Sequence, residues 1–159
     1  MVYNAIAQSA QPIISYNFGQ QNPVRVARTI RLALKTALGC GIFFFAATLV
    51  FNHQIVGLFI DKSYQAYDIA VNGIPYFAVG YLFFALNIVG IGYYQSIERA
   101  RRATVITLFR GTLFMLAGFL LLPPVLGVRG IWLAVPLAEL LTLLLIIGIY
   151  LKDSFAVRR

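Results

Sequence analysis

Glu139 and Arg110 are the residues best placed to do chemistry in this sequence, because each stands inside a long apolar run. Glu139 lies near the middle of 130–151 (GIWLAVPLAELLTLLLIIGIYL), and Arg110 is about seven residues into 103–122. As a helix rising ~1.5 Å per residue, the first run reaches ~33 Å, enough to cross a hydrocarbon core ~30 Å thick. A charge at that depth costs roughly 2.5–3.5 kcal/mol on insertion scales, so it is turned inward, paired, or set against a wet cavity. Antiparallel neighbours joined by a short turn place the two charges at depths differing by only ~5 Å, within reach of an arginine side chain. Two uses follow: a structural ion pair that holds two helices in register, or a pairing that changes during a proton- or cation-coupled cycle. The first ranks ahead, since a guanidinium nearby keeps the carboxylate ionised and ill suited to carrying a proton.

Other polar side chains lie at similar depth. Gln8, Gln11, Pro12, Tyr16 and Asn17 put hydrogen-bonding groups and a helix breaker near the start of the chain. Proline at 12 frees the carbonyl four residues earlier, which a neighbouring helix or water must satisfy. Such a segment is either a bent helix lining a solute cavity or interhelical glue. Gly73, Tyr76, Gly80, Phe83, Asn87, Gly90 and Tyr94 recur at steps of three and four and share one helix face. The glycines suit close helix packing, whereas Tyr76, Asn87 and Tyr94 serve packing or a pocket equally well.

The elements that position these residues follow from composition. A chain of 159 residues that is 60% hydrophobic and 11% charged, with mean hydropathy +0.82, exceeds what one soluble core can hide. The reading is an all-α polytopic membrane protein, one domain over 1–159, with full spans at 30–51, 71–95, 103–122 and 130–151. A fifth segment, 1–18, is too polar for an isolated lipid-facing span and looks like the end of a longer helix. The connector 52–70 is the longest, and its VGLFI piece can lie in the interface; Pro123, Pro124 and Gly127 are expected to stop the third span.

The formal charge of +8 does not form a nucleic-acid patch. Arg25, Arg28, Arg31 and Lys35, then Arg99, Arg101 and Arg102, then Lys152, Arg158 and Arg159 fall on one side, ten of the thirteen cations. The positive-inside rule makes that side cytoplasmic, C-terminus included, in the cytoplasmic membrane. The stripe on the first span is a topological anchor first and a contact for anionic lipid headgroups second. Cys40 is the only cysteine and His53 the only histidine, so no metal site is expected; no signal peptide is visible either. No Ser/His/Asp set, phosphate loop or carboxylate pair can be assembled, so the chain does not read as an enzyme and no catalytic residue or cofactor is assigned.

The string Gln11-Pro12-Ile13-Ile14-Ser15-Tyr16-Asn17-Phe18-Gly19 resembles the end of the eighth helix of MATE-family multidrug and toxin extrusion transporters. Further pieces follow in that family's order: Asn87-Ile88-Val89 with Tyr94-Gln95-Ser96, then Leu108-Phe109-Arg110, then Gly127-Val128-Arg129-Gly130-Ile131-Trp132 with Pro136. The similarity looks greatest to the bacterial MepA-like branch. It implies a twelve-helix transporter in two six-helix lobes, of which this chain would supply the end of helix eight and helices nine to twelve. It also implies export of cationic or amphipathic drugs in exchange for Na+ or H+, with the lipid bilayer and a missing N-terminal lobe as partners. Carried over by position, Gln11 and Asn17 fall on helix eight, Asn87 and Gln95 on ten, Arg110 on eleven and Glu139 on twelve. With Tyr76 and Tyr94, the four polar residues Gln11, Asn17, Asn87 and Gln95 are the cavity-lining candidates. Two departures stand out: no carboxylate occurs between Asp68 and Glu98, where some sodium-coupled relatives have one, and Ser96-Ile97-Glu98-Arg99 replaces a turn that often holds glycine. Rival readings are a lipid-linked oligosaccharide flippase of the same superfamily and a small membrane scaffold protein.

Overall fold

The structure, a computed structural model, describes the backbone of residues 1–157 and side chains through Asp153. Arg158 and Arg159, counted above among the cations, lie outside the described residues. Among the described residues the regular structure is helical: α1 (Val2–Gly19), α2 (Pro23–Val50), α3 (Asn52–Gly57), α4 (Gln65–Ala78), α5 (Gly80–Ser96), α6 (Ala100–Leu108), a π-helical turn (Phe109–Phe114), α7 (Met115–Leu126) and α8 (Val128–Val157).

Three helical stretches are long and apolar enough to cross a bilayer: Pro23–Val50, Ala100–Leu126 and Val128–Asp153. Gln65–Ala78 and Gly80–Ser96 make a fourth crossing bent by 43°. Lipid as solvent accounts for the surface, where Leu32, Phe43, Leu113, Leu116, Leu120 and Leu121 stand exposed.

The core is built on small residues. α1 buries Tyr3, Ala7, Ala10, Ile14 and Asn17, a stripe with steps of three and four, and α2 buries Ala33, Ala37 and Gly41, the last against Tyr81, Leu82 and Ala85 of α5. Both lean on α5, which also touches α8 and so stands at the centre of the bundle. Without hydrophobic drive between helices in lipid, association rests on close van der Waals approach, which alanine and glycine allow.

Span boundaries depart from the hydropathy reading in three places. The span expected at 71–95 begins at Gln65 and breaks at Val79. Pro75 cannot donate to the Val71 carbonyl, and the Asn52 side-chain amide does so instead at 3.5 Å. The break opposes Pro136 of α8, whose ring lies 3.5 Å from where a Cβ on Gly80 would be. Second, Pro123 and Pro124 do not stop the third span: the helix continues to Leu126 and ends where Gly127 takes φ 59°, a left-handed conformation that glycine adopts freely. Third, α2 starts earlier than expected, at Pro23, capped by the Asn22 side chain accepting from the Arg25 amide. In the turn before α6, Glu98 has φ 61°, a left-handed conformation that strains a residue carrying a Cβ.

The basic segments gather at one end. The Ser15 hydroxyl donates to the Ser96 carbonyl at 3.0 Å, tying the end of α1 to the end of α5. Asp153 near the end of α8 pairs with both Arg99 and Arg102. At the opposite end His53 meets the Tyr67 hydroxyl at 3.2 Å. There Trp132 of α8 lies flat against Gly73 of α4, so closely that any Cβ on Gly73 would overlap the indole. Gly73→Val is therefore expected to displace the ring and cost about 1–3 kcal/mol of stability. Trp132 is the only tryptophan, so its fluorescence reads the change directly. An unaltered emission maximum would contradict this packing.

Candidate functional site

Three helices bring one buried polar cluster together. Glu139 projects from α8 with its side chain 4% exposed. Arg110 reaches it from the π-helical turn: Nε lies 2.9 and 3.0 Å from the two carboxylate oxygens, and Nη2 lies 2.8 Å from Oε1. The guanidinium also sits 4.5 Å from the centre of the Phe84 ring on α5, so a cation–π contact supports its second face. A π-turn holds one more residue than an α-turn and tends to occur where a side chain must be aimed at a function. Here that side chain is Arg110.

Asn87 of α5 completes the cluster. Fully buried, it donates to Glu139 Oε2 at 2.7 Å and to the Glu139 backbone carbonyl at 2.8 Å. Its own Oδ1 has no hydrogen-bond partner among the described residues. The carboxylate thus receives both a bidentate guanidinium and an amide, which offsets much of the cost of burying it. Periodicity places Asn87 on a face shared with Tyr76 and Tyr94. It gives no hint that this residue meets Glu139, because helix periodicity says which residues share a face and not which helix that face meets.

The remaining candidates scatter. Gln11 donates to Gln95 Oε1 at 3.0 Å, an exposed bond between α1 and α5. Asn17 is buried and turns back on its own helix, donating to the Ile13 carbonyl at 2.8 Å. Tyr76 faces a small polar cleft between α4 and α8 with Asp68, Asn72, Arg129 and Trp132. Tyr94 is buried and borders a larger cavity of about 1070 Å³ at the basic end, between α2, α5 and α8. Tyr76 and Tyr94 thus border two different pockets.

Comparison with known proteins accounts for the arrangement. The family model described as MatE matches residues 1–120. The chain belongs to the MatE family. Among solved structures, an outward-facing conformation of a multidrug resistance MATE family transporter of the MOP superfamily superposes with a TM-score of 0.85 at 15% identity, covering 96% of this chain and 35% of that one. An inward-facing conformation of such a transporter gives 0.82 at 17% identity, covering 87% and 32%. A crystal structure of MATE in complex with MaL6 gives 0.82 at 14%, covering 96% and 35%. The present MATE chain thus spans about a third of the length of these structures. No match was found among curated proteins.

Proposed function

We propose that residues 1–159 form most of the C-terminal lobe of a multidrug efflux transporter, with 1–18 as the end of helix eight and α2, α4–α5, α6–α7 and α8 as helices nine to twelve. In this reading the transporter exchanges amphipathic or cationic drugs for Na+ or H+ by rocking two lobes about a midplane site. The observation that carries it is the buried Arg110–Glu139–Asn87 cluster within a MatE-family bundle. Intramembrane ionisable groups are costly and are kept for transport or for fixing helices. Held by two partners, Glu139 fixes α5, the π-turn and α8 as one body, which rigid rocking requires.

Ethidium efflux from an efflux-deficient bacterial host tests this reading, with the chain expressed together with the lobe it is proposed to join. Uncoupler- or sodium-sensitive efflux is expected, and Asn87→Leu should reduce it several-fold while the protein still reaches the membrane. Efflux absent from the joined protein, or insensitive to both treatments, would sink the proposal. A lobe assembled in this way has its basic end in the cytoplasm. Single cysteines at 99–102 in a Cys40→Ser background should then resist an impermeant thiol reagent in intact cells, and those at 62–65 should react. The reverse pattern would invert the topology.

A further inference from the structure

We propose that the groove between α2 and α8 at the basic end seats one anionic phospholipid, with its phosphate at Arg31 and its acyl chains along the apolar floor. Among the described residues no Cα of α2 comes within 8 Å of a Cα of α8. The gap of about 1070 Å³ between them is walled by Ile30 and Leu34 on one side and Ile146 and Ile147 on the other. Its floor is α5, where Gly90 lets Ile146 of α8 pack close: a Cβ there would stand 3.2 Å from that side chain. This is space lined mainly by hydrocarbon side chains.

Charge decides the occupant. Among the described residues, Arg31 is the only lysine or arginine in the lining, and no carboxylate lines it. The nearby acid Asp153 is already engaged by Arg99 and Arg102. Arg25, Arg28 and Lys35 continue the positive stripe along α2. An apolar helix laid in the groove would leave the guanidinium without a counter-charge, whereas a lipid supplies a phosphate at its head and hydrocarbon below it. Guanidinium binds phosphate with two parallel hydrogen bonds, and juxtamembrane cations draw anionic lipid. The groove also lies at the end where the basic segments collect, the level at which headgroups sit.

Native mass spectrometry of the detergent-solubilised protein, titrated with dioleoyl phosphatidylglycerol or dioleoyl phosphatidylcholine, tests the seat. One phosphatidylglycerol should be retained in preference to phosphatidylcholine. Arg31→Gln should weaken that retention about fivefold, the factor equivalent to ~1 kcal/mol for one basic residue near an anionic surface. Arg101→Gln, on an exposed residue of α6 outside the lining, should leave it unchanged. Ile147→Trp fills the groove from an exposed position and should reduce retention of both lipids while circular dichroism stays native. Equal retention of the two lipids, or equal loss in Arg101→Gln, would reduce the effect to bulk charge and overturn the proposal. Full displacement by inorganic phosphate would make this a free-anion site and overturn it too. Retention indifferent to Ile147→Trp would mean that another segment or a second copy covers the groove, and the lipid seat would be rejected on that result as well.

Discussion

Arg110→Gln is expected to destabilise the bundle by about 3–5 kcal/mol, because it strands a carboxylate that is almost wholly buried. Glu139→Gln should cost less, since Arg110 keeps its place over Phe84 and is the more exposed partner, at 17% against 4%. The pair Arg110→Gln with Glu139→Gln should recover much of the larger loss, as two neutral amides can hydrogen-bond across the same gap. The measurement is a double-mutant cycle on SDS-induced unfolding of the purified protein, followed by circular dichroism. Losses that add within about 0.5 kcal/mol would show that the two residues act independently.

The second large effect lies where α7 and α8 cross. A Cβ built on Gly130 would lie 2.5 Å from both the carbonyl carbon and oxygen of Leu122 and 2.8 Å from the Pro123 nitrogen. These are backbone atoms and cannot rotate aside. Gly130→Ala must therefore push the helices apart, at a cost at or above the ~1–3 kcal/mol typical of overpacking. Gly148→Ala, farther along α8 with nothing within 4 Å of its Cβ, is the control and should stabilise by up to ~1 kcal/mol through helix propensity. Equal unfolding midpoints for the two variants would refute the close crossing.

Much of this architecture is legible in the residues themselves, and what is not has identifiable physical causes. Apolar run length locates the crossings, since in lipid a backbone must satisfy itself along the helix. Helix arithmetic alone puts Arg110 and Glu139 at similar depth, and the structure has them in contact. Pro75 signals a bend in the second span, but the break itself falls four residues later at Val79, where hydropathy continues and gives no mark of its place. Likewise Pro123 and Pro124 read as a stop, yet a proline removes only its own donor; Gly127 turns the chain. The π-turn has no local signal, and neither does the meeting of Asn87 with Glu139, which depends on how α5 is rotated against α8. Asn17, a polar side chain deep in a helix, is satisfied by its own backbone, a bond that its position in the sequence does not reveal.

The tight reversal at Gly127 bears on how the protein enters its membrane. With a single residue between α7 and α8, the third and fourth crossings emerge from the ribosome as one antiparallel hairpin. Arg110 and Glu139 then meet within a unit that is already contiguous in sequence, before any other helix has to be found. Each charge alone would add roughly 2.5–3.5 kcal/mol to the insertion of its helix, whereas the hairpin presents a neutral ion pair to the lipid. Biogenesis therefore favours insertion of the two helices together, and lengthening the turn with a flexible polar linker would uncouple their entry and penalise both.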